Sequence, residues 1–366
     1  MGRVGGTELT RRVVLAIWAG FLVWQIVARG IPFDREGLLL WLGTGLAAAS
    51  LGRRSVGQVV VDFLPFALVL IAYDYLRGIS YKLGMPTWWY PQIRVDRWLC
   101  FGHEPTVWLQ EHLKYPDVRW WDVAVYVCYT SFFLLPYVTA AVLWLRSRTD
   151  FYRWSARFVS LSFVGFGLFA LIPAAPPWAA SRCTPPEVVG HPSNPLCMSG
   201  YGPTPPGGLL GVMTDPREGA LNRIQRISGR GAGPLHLDTA AAFWDKGKDT
   251  IDQVAAVPSL HLAGTVLFVL FMWRRVHRAW WPVLVLYPFA MTFSLIYSGE
   301  HYLSDCLAGA LVAVVVAMVA NRVEARLLSR RAGGPPAQIP GQDRVGLGGR
   351  GGEPTSAADH TLVPVD

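Results

Sequence analysis

Charged side chains are scarce in this sequence of 366 residues. Asp, Glu, Lys and Arg together make up 16%, against about 25% in a typical soluble protein. Hydrophobic residues make up 52%, and the mean hydropathy is +0.31. This is too little polar surface to solvate a globule of this size, which excludes a soluble cytosolic enzyme and a disordered chain. The composition therefore predicts an integral membrane protein.

Cysteine is also scarce, with five residues, which excludes a secreted disulfide scaffold. The cysteines follow no metal-binding spacing. Cys183 and Cys197 lie in a polar connection, where a disulfide between them is one hypothesis if that side is oxidising, and free thiols are the alternative. Internal repeats, heptad runs and Gly-rich nucleotide loops are absent from the sequence. The net charge of +8 does not indicate nucleic-acid binding, because most basic residues lie in short connections between apolar segments.

Eight apolar segments approach the ~20 residues that a membrane helix needs. They are residues 13–28, 38–51, 56–76, 123–145, 158–175, 259–273, 280–297 and 302–323. The first two are short, so a tight hairpin and a total of six or seven spans remain open. The predicted fold is an all-α, polytopic membrane helix bundle with about eight transmembrane helices.

Lys and Arg in the short loops predict the orientation, because cytoplasmic loops carry the excess of these residues. Eight spans with both termini in the cytoplasm place every Arg-rich short loop inside. Residues 77–122 and 176–258 then form two long outer loops. We expect an N-terminal part with two added spans at 1–56, a catalytic membrane domain at 57–326 and a disordered cytoplasmic tail at 327–366. The predicted location is a plasma membrane, with the active site at its outer face.

Ionisable groups at membrane helix ends mark function by default, because they are expensive to desolvate. His301 and Asp305 are four residues apart at the start of the eighth span, so they share one helix face. His261 begins the sixth span at the same predicted face, after the N-cap residue Ser259. Helix N-termini there are expected to present free N–H groups to an anion.

Two histidines, one carboxylate and an anion-binding helix end together suggest phosphoryl transfer. One histidine attacks phosphorus, Asp305 orients it, and the other histidine protonates the leaving alkoxide. Two alternatives stay open for these residues: a local His–Asp hydrogen bond and a metal site with two histidines and one carboxylate. Of the remaining acids, Asp62 is expected to bond to a neighbouring helix and Glu300 to be a solvated acid at a helix start.

The runs 258–261 (Pro-Ser-Leu-His) and 294–305 (Ser-Leu-Ile-Tyr-Ser-Gly-Glu-His-Tyr-Leu-Ser-Asp) resemble the second and third motifs of the type-2 phosphatidic acid phosphatase superfamily. The Pro-Ser-Leu-His form is more similar to the inositol phosphorylceramide synthase branch than to the phosphatase branch. The run 174–178 (Ala-Ala-Pro-Pro-Trp) and the segment 101–109 are also similar to that branch. The resemblance covers about residues 57–325 and implies a six-helix phosphatase-like core to which the first two spans are added.

The resemblance implies a role for each of three residues. His301 matches the nucleophile that forms a phosphohistidine, Asp305 its partner, and His261 the acid that protonates the leaving group and later deprotonates the acceptor. Enzymes of this superfamily work without a metal or other cofactor, on the non-cytoplasmic side of the membrane. The implied partner is a lipid phosphate in the membrane, with no nucleic acid; the oligomeric state stays open.

The sequence departs from the phosphatase branch at its phosphate-binding cations. Leu295 stands where that branch has Arg, and the first motif, a Lys followed seven residues later by Arg-Pro, is missing. Other cations must then bind the phosphate, and the candidates are Arg77, Lys246 and Lys248, with Arg230 behind them. Snorkelling or a helical pair with Asp74 is the alternative role of Arg77.

Three functions are consistent with these features. A head-group phosphotransferase, with an alcohol as acceptor, is favoured by the synthase-like motifs and the missing phosphatase cations. A lipid phosphate phosphatase, acting on phosphatidic acid or a polyprenyl phosphate with water as acceptor, would use the same three residues. A non-catalytic transporter or scaffold is the third hypothesis, and the absence of an inverted repeat speaks against it.

Overall fold

The computed structural model describes residues 2–29, 35–52, 55–77, 83–199, 207–235, 237 and 253–332, and their regular secondary structure is helical. The α-helices in chain order are α1 (Gly2–Arg29), α2 (Arg35–Ser50), α3 (Val56–Arg77), α4 (Pro91–Leu99), α5 (Pro105–Leu113), α6 (Trp120–Arg146), α7 (Arg148–Leu171), α8 (Pro177–Ala180), α9 (Leu260–Met272), α10 (Trp281–Tyr297) and α11 (Leu303–Ala332). Short 3-10 turns lie at Pro185–Val188, Leu196–Ser199, Arg230–Leu235 and Arg278–Trp280. The described residues contain no extended strand, so the all-α prediction is confirmed.

All eight predicted apolar segments lie mostly within helices. Five helical stretches in the described part of the chain are long and apolar enough to cross a membrane: Glu8–Ala28, Trp120–Arg146, Arg148–Leu171, Arg278–Tyr297 and Leu303–Arg330. The apolar stretches Gly57–Tyr73 in α3 and Leu260–Met272 in α9 are shorter. The protein is therefore a polytopic integral membrane protein. That α2, α3 and α9 also cross the bilayer remains a prediction.

Two helix boundaries differ from the sequence prediction because charged residues were assigned to loops. Helix α7 begins at Arg148, about ten residues before the predicted apolar segment. The early start is stabilised by Asp62 of α3, whose two carboxylate oxygens accept hydrogen bonds of 2.7 and 2.6 Å from Arg148. This contact also confirms that Asp62 bonds to a neighbouring helix. Helix α11 continues through Ala332, past the predicted start of the tail at 327, because the first strong helix breaker is Gly333.

An aromatic core fills the space between α3, α6, α7 and α9. Its largest members are fully or almost fully buried: Phe63, Phe66, Trp144, Phe151, Trp154 and Phe158. Their rings meet in stacked and edge-on pairs, such as Phe63 on Phe151 with 4.8 Å between ring centroids. Aromatic pairs of this kind add to the stabilisation from burial alone. We call this set the aromatic core.

The two loops that the sequence predicts to be outer loops pack into an ordered layer, which we call the outer cap after that prediction: residues 83–119, 173–199, 207–235 and 253–258. It has its own buried clusters around Trp89, Trp178 and Ile93. Cys183 and Cys197 are bonded to each other within the first of these clusters. Of the two alternatives for these cysteines, the structure therefore contains the disulfide and not the free thiols.

Candidate active site

His301 lies in the turn between α10 and α11, buried, with its ring orientation set by a backbone carbonyl. Its Nδ1 atom is 3.0 Å from the carbonyl oxygen of Ala256. A carbonyl oxygen can only accept, so Nδ1 carries the hydrogen in this contact. In the neutral ring the lone pair is then on Nε2, the atom that a nucleophile at this position would use.

A small backbone pairing places that carbonyl. The amide of Ala256 donates to the carbonyl of Ala174 at 3.1 Å, and Ala174 also forms an isolated parallel bridge with Trp88. The run 174–178 thus joins two distant segments of the outer cap beside His301. The amide of Ala175 donates to the carbonyl of Trp88 at 2.9 Å, and at the end of the run the amide of Trp178 donates to the carbonyl of Gly299 at 3.0 Å. The motif therefore shapes the wall of the site through its backbone.

Asp305 lies near His301 but at ion-pair distance. Its Oδ2 atom is 3.7 Å from Nδ1 of His301, too far for a hydrogen bond. The same oxygen accepts a 2.9 Å hydrogen bond from the amide of Tyr302. The carbonyl of Ala256 is thus the hydrogen-bond partner of Nδ1, and the fully buried Asp305 carboxylate supplies a nearby negative charge. The spacing predicted that His301 and Asp305 lie close together, but no feature of the sequence indicated that the carbonyl of the remote Ala256 would be the hydrogen-bond partner of Nδ1.

His261 and His301 come together although forty residues separate them. Their ring centroids are 5.6 Å apart, with 61° between the ring planes. The starts of α9 and α11 are joined by a 3.0 Å hydrogen bond from the amide of Ser259 to the carbonyl of Asp305. Close approach also requires Gly309, since a Cβ there would lie 2.3 Å from the carbonyl oxygen of Ser259. The predicted pairing of the two histidines in one site is therefore present in the fold.

Aromatic side chains of α6 surround His261. Tyr129 stacks on its ring at 4.8 Å between centroids, Phe132 lies at 4.3 Å and Phe133 at 5.3 Å. Ser259 caps α9 by accepting from the amide of Leu262, as predicted from the sequence. His261 thus has apolar walls on the side of α6 and faces His301 on the other.

A carboxylate from the outer cap occupies the start of α11. The two carboxylate oxygens of Asp96, in α4, accept from the amides of Leu303 and Ser304 at 2.7 and 2.8 Å. Asp96 has no solvent exposure, and burial raises the pKa of its carboxyl while these amides lower it. The expectation of free N–H groups for an anion is therefore wrong at this helix, because Asp96 uses them. No sequence signal connects residues 207 positions apart.

Glu300, beside the nucleophile candidate, is buried and paired, so its interpretation as a solvated acid is wrong. Arg226 donates two hydrogen bonds of 2.8 Å to its two carboxylate oxygens, and Ser228 donates one of 2.6 Å. A bidentate pair of this kind fixes both side chains in orientation. Glu300 therefore orders the segment 226–228 next to the two histidines.

The Trp178 indole has two guanidinium groups near its ring. Arg226 lies 5.0 Å and Arg182 5.3 Å from the ring centroid. Arg182 donates to the carbonyl of Met198 at 2.8 Å, and no carboxylate within the described residues pairs with it. Burial lowers the pKa of Arg182, and the positive charges of Arg226 and Arg223 lower it further. Partly buried positive charges without an equal number of acids favour the binding of an anion. The sequence analysis did not identify this arginine pair.

Two buried polar side chains of the outer cap hold the segment that carries Arg226. Gln110 donates to the carbonyls of Gln225 and Tyr297 at 2.8 Å each, and accepts from the amide of Gln225. The Lys114 ammonium donates to the carbonyls of Leu221 and Arg223 at 2.9 and 2.6 Å. Burial lowers the pKa of Lys114 to about 8. These contacts show why the loop 221–228 is ordered despite its polar composition.

The predicted phosphate-binding cations are not brought to the site by the described part of the chain. Lys246 and Lys248 lie outside the described residues, and Arg77 ends α3 with its side chain outside them. Arg230 is bonded to the carbonyls of Tyr115 and Pro116, which is a structural contact within the outer cap. The prediction for Arg77, Lys246 and Lys248 stays a prediction.

Leu295 and Glu104 add two further observations. Leu295 is fully buried with Tyr129, Leu262 and Met291, so this position is part of an apolar cluster. Glu104 caps α5 by accepting from Val107, and burial raises the pKa of its carboxyl to about 7.

Within the described ranges, no group of three His, Cys, Asp or Glu side chains has a metal-binding arrangement.

The helical membrane fold groups two histidines and an aspartate in one site, and the comparison with known proteins identifies the class of enzyme. The family model of the PAP2 superfamily matches residues 92–319, more than half of the sequence. The chain belongs to this superfamily, the type-2 phosphatidic acid phosphatases and related enzymes, and is a membrane lipid phosphotransferase or phosphatase.

The chain is similar to the phosphoinositol dihydroceramide synthase of Bacteroides thetaiotaomicron. The two are 26% identical over 307 residues, which is 81% of this chain and 86% of that protein. The similarity agrees with the predicted relation to the inositol phosphorylceramide synthase branch. No solved structure matches the chain.

Proposed function

We propose that the protein is a lipid head-group phosphotransferase that works through a phosphohistidine on His301. The observation that carries the proposal is the contact of His301 Nδ1 with the carbonyl of Ala256. The ring of His261 lies beside that of His301, with 5.6 Å between the ring centroids. This contact fixes the tautomer in which Nε2 can attack. The nearby Asp305 carboxylate would stabilise the positive imidazolium that forms on attack.

The reaction then has two balanced steps. In the first, Nε2 of His301 forms a bond to phosphorus, the ester P–O bond breaks, and His261 gives its proton to the leaving alkoxide. In the second, His261 takes the proton of an acceptor alcohol, whose oxygen attacks phosphorus while the P–N bond breaks. Both histidines return to their starting states, so no cofactor is consumed.

The surroundings of His261 support an alcohol carried by a lipid as acceptor. The rings of Tyr129, Phe132 and Phe133 give this histidine apolar walls, which suit a hydroxyl on an aliphatic molecule. The similar bacterial protein is named as a synthase of phosphoinositol dihydroceramide. By analogy we propose a ceramide-like alcohol as the acceptor class and a phosphoinositol-type group as the one transferred.

Arg182 is our proposed phosphate-binding residue in the outer cap. Its guanidinium has a carbonyl partner and two positive neighbours, so an anion would relieve the repulsion between them. Arg226, oriented by Glu300, also lies near the Trp178 ring and would add a second positive charge to the phosphate site. Arg77, Lys246 and Lys248 are retained as proposed additional cations from the sequence.

We infer that the site faces the non-cytoplasmic side of a plasma membrane, with both termini in the cytoplasm. The Arg-rich short loops support this orientation. The Cys183–Cys197 disulfide supports it too, because disulfides persist in oxidising compartments and this one lies in the outer cap. We further propose that residues 57–326 form the catalytic domain and that α1 and α2 are an addition to it.

The substrate class is tested with purified full-length protein in mixed micelles. A panel of phospholipids labelled in the head-group phosphate is incubated with and without a ceramide-type alcohol. A new labelled phosphodiester that requires the alcohol is expected. Release of inorganic phosphate, unaffected by the alcohol, would show a phosphatase instead.

The covalent intermediate is tested by rapid acid-free denaturation of the protein during turnover. Label on the protein that survives alkali and is lost in acid is expected, as for a phosphoramidate, and it should map to His301. The matched control is His277→Ala, which removes an exposed histidine in the connection between α9 and α10, just before the 3-10 turn Arg278–Trp280. Labelled phosphate that persists on a His301→Ala protein would refute the assignment.

A further inference from the structure

Helix α4 in the outer cap presents an unusual outward face. Val95 and Trp98 are 43% and 79% exposed, and Phe101, just beyond the helix, is 96% exposed. Arg94 and Arg97 are exposed on the same helix. Aromatic rings interleaved with arginines are typical of segments at the membrane-water interface, where rings enter the head-group layer and guanidiniums meet phosphates.

The inner face of α4 fixes the height of the helix relative to the membrane. Asp96 accepts from the amides of Leu303 and Ser304, the first two residues of α11. The stretch Leu303–Arg330 is one of the five long enough and apolar enough to cross a bilayer. A helix that caps the first residues of a membrane span lies at the boundary of the membrane.

The backbone at Phe101 points its ring away from the protein. Its φ of 55° is in the left-handed region, which is uncommon for a bulky residue. Gly102, with φ of 94°, follows it and completes the turn after α4. The backbone thus holds an exposed aromatic ring outward, where it can contact the apolar part of a membrane interface.

We propose that the outward face of α4 is a membrane-surface contact, with Trp98 and Phe101 inserted among lipid head groups and Arg94 and Arg97 paired with lipid phosphates. The partner is the lipid surface itself, including its anionic lipids. Because the same helix caps α11 through Asp96, this contact links the membrane surface directly to the helix that carries Asp305. The proposal does not depend on the reaction that the enzyme catalyses.

Site-directed spin labelling of the full chain in nanodiscs of phosphatidylcholine and phosphatidylglycerol tests the contact. A nitroxide is attached at Trp98→Cys or Phe101→Cys in a Cys100→Ser background, which removes the neighbouring thiol. Accessibility to oxygen, which partitions into lipid, is compared with accessibility to a water-soluble nickel chelate. Leu311→Cys on the exposed face of α11 is the lipid control, and Glu218→Cys, exposed in the outer cap, is the water control.

Both α4 labels are expected to favour oxygen over nickel, with ratios between those of the two controls. Ratios equal to that of the Glu218→Cys label would overturn the proposal. Spin–spin broadening that disappears on dilution with unlabelled protein would show a second copy on this face and would overturn it as well. Two label positions keep the result interpretable if one variant fails to fold.

Discussion

The aromatic core is held mainly by ring packing, whereas the outer cap combines small apolar clusters and a disulfide with buried polar contacts. In the aromatic core, rings such as Phe63 and Phe151 pack face to face and Trp154 packs on Phe158 and Phe271. In the outer cap, single buried polar side chains such as Gln110 and Asp96 bond to backbone groups far away in sequence. Packing of the first kind is weakly directional and spread over many atoms. Bonds of the second kind are few, and each one is directional.

This difference indicates a division of labour within the protein. The aromatic core supplies stability and keeps the long helices side by side. The outer cap positions the proposed reacting groups through directional contacts, such as that of the carbonyl of Ala256 with His301. Substitutions in the aromatic core should therefore lower stability, and substitutions in the outer cap should mainly lower activity. Five predictions test this difference, from the largest expected effect to the smallest.

His301→Ala should lower turnover by at least about 10³-fold, because it removes the proposed nucleophile. The thermal midpoint in detergent should fall less than that of Trp154→Ala, because the buried side chain removed is smaller. Steady-state assays with labelled lipid measure the loss. Turnover within tenfold of the wild type would contradict the role of His301, and His277→Ala should keep full activity.

Trp154→Ala should lower the free energy of unfolding by about 3–5 kcal/mol, the usual cost of deleting a large buried aromatic ring. The side chain is fully buried and its Nε1 donates to the carbonyl of Pro136 at 2.9 Å. Turnover per folded molecule should stay within about twofold. Denaturation in detergent measures the effect, with Leu311→Ala on an exposed helix face as the control. A selective loss of turnover would break the proposed division.

Glu104→Gln should stabilise the protein at alkaline pH. The folded chain raises the pKa of this carboxyl from 4.5 to about 7, so its ionisation opposes folding. The penalty is absent below about pH 4.5, grows up to about pH 7 and is complete above it, reaching at most about 3 kcal/mol. Thermal midpoints at pH 5 and pH 8 measure the difference. Equal gains at both pH values would show that the charge is not responsible.

Arg182→Gln should raise KM for the phosphate donor by about tenfold or more, with a smaller change in kcat, because a charge-assisted contact to the substrate is lost. Arg182→Lys should restore part of the affinity. Arg230→Gln is the matched control, since Arg230 bonds to the carbonyls of Tyr115 and Pro116. An unchanged KM in Arg182→Gln would remove Arg182 from the proposed phosphate site.

Asp96→Asn should lower kcat by about tenfold, equal to about 1.4 kcal/mol, because an NH2 donor replaces one of the two oxygens that accept from the amides of Leu303 and Ser304. Asp96 is a positioning residue, so KM should change little. The measurement is the split between kcat and KM, with the exposed Asp117→Asn as the control. Equal losses of folded protein and of activity would reduce Asp96 to a purely structural role.

Much of the fold was predictable because membrane helices require long continuous apolar segments, which the sequence shows directly. The apolar segments all lie in helices, and Ser259 caps α9 as its position indicated. The errors occurred where charged residues are paired inside the fold. Arg148 is helical because Asp62 neutralises it, and Glu300 is buried because Arg226 does the same. Such partners lie tens of residues away, and one sequence does not identify them.

The sequence alone determined that this is a membrane protein and that the runs around His261, His301 and Asp305 resemble two motifs of the superfamily to which the chain belongs. These properties depend on composition and short spacings, which are local. Only the tertiary structure decided which group orients His301, that Asp96 caps the helix of Asp305, and that Arg182 and Arg226 meet at Trp178. Each of those contacts joins segments that only folding brings within hydrogen-bonding or ring-contact distance.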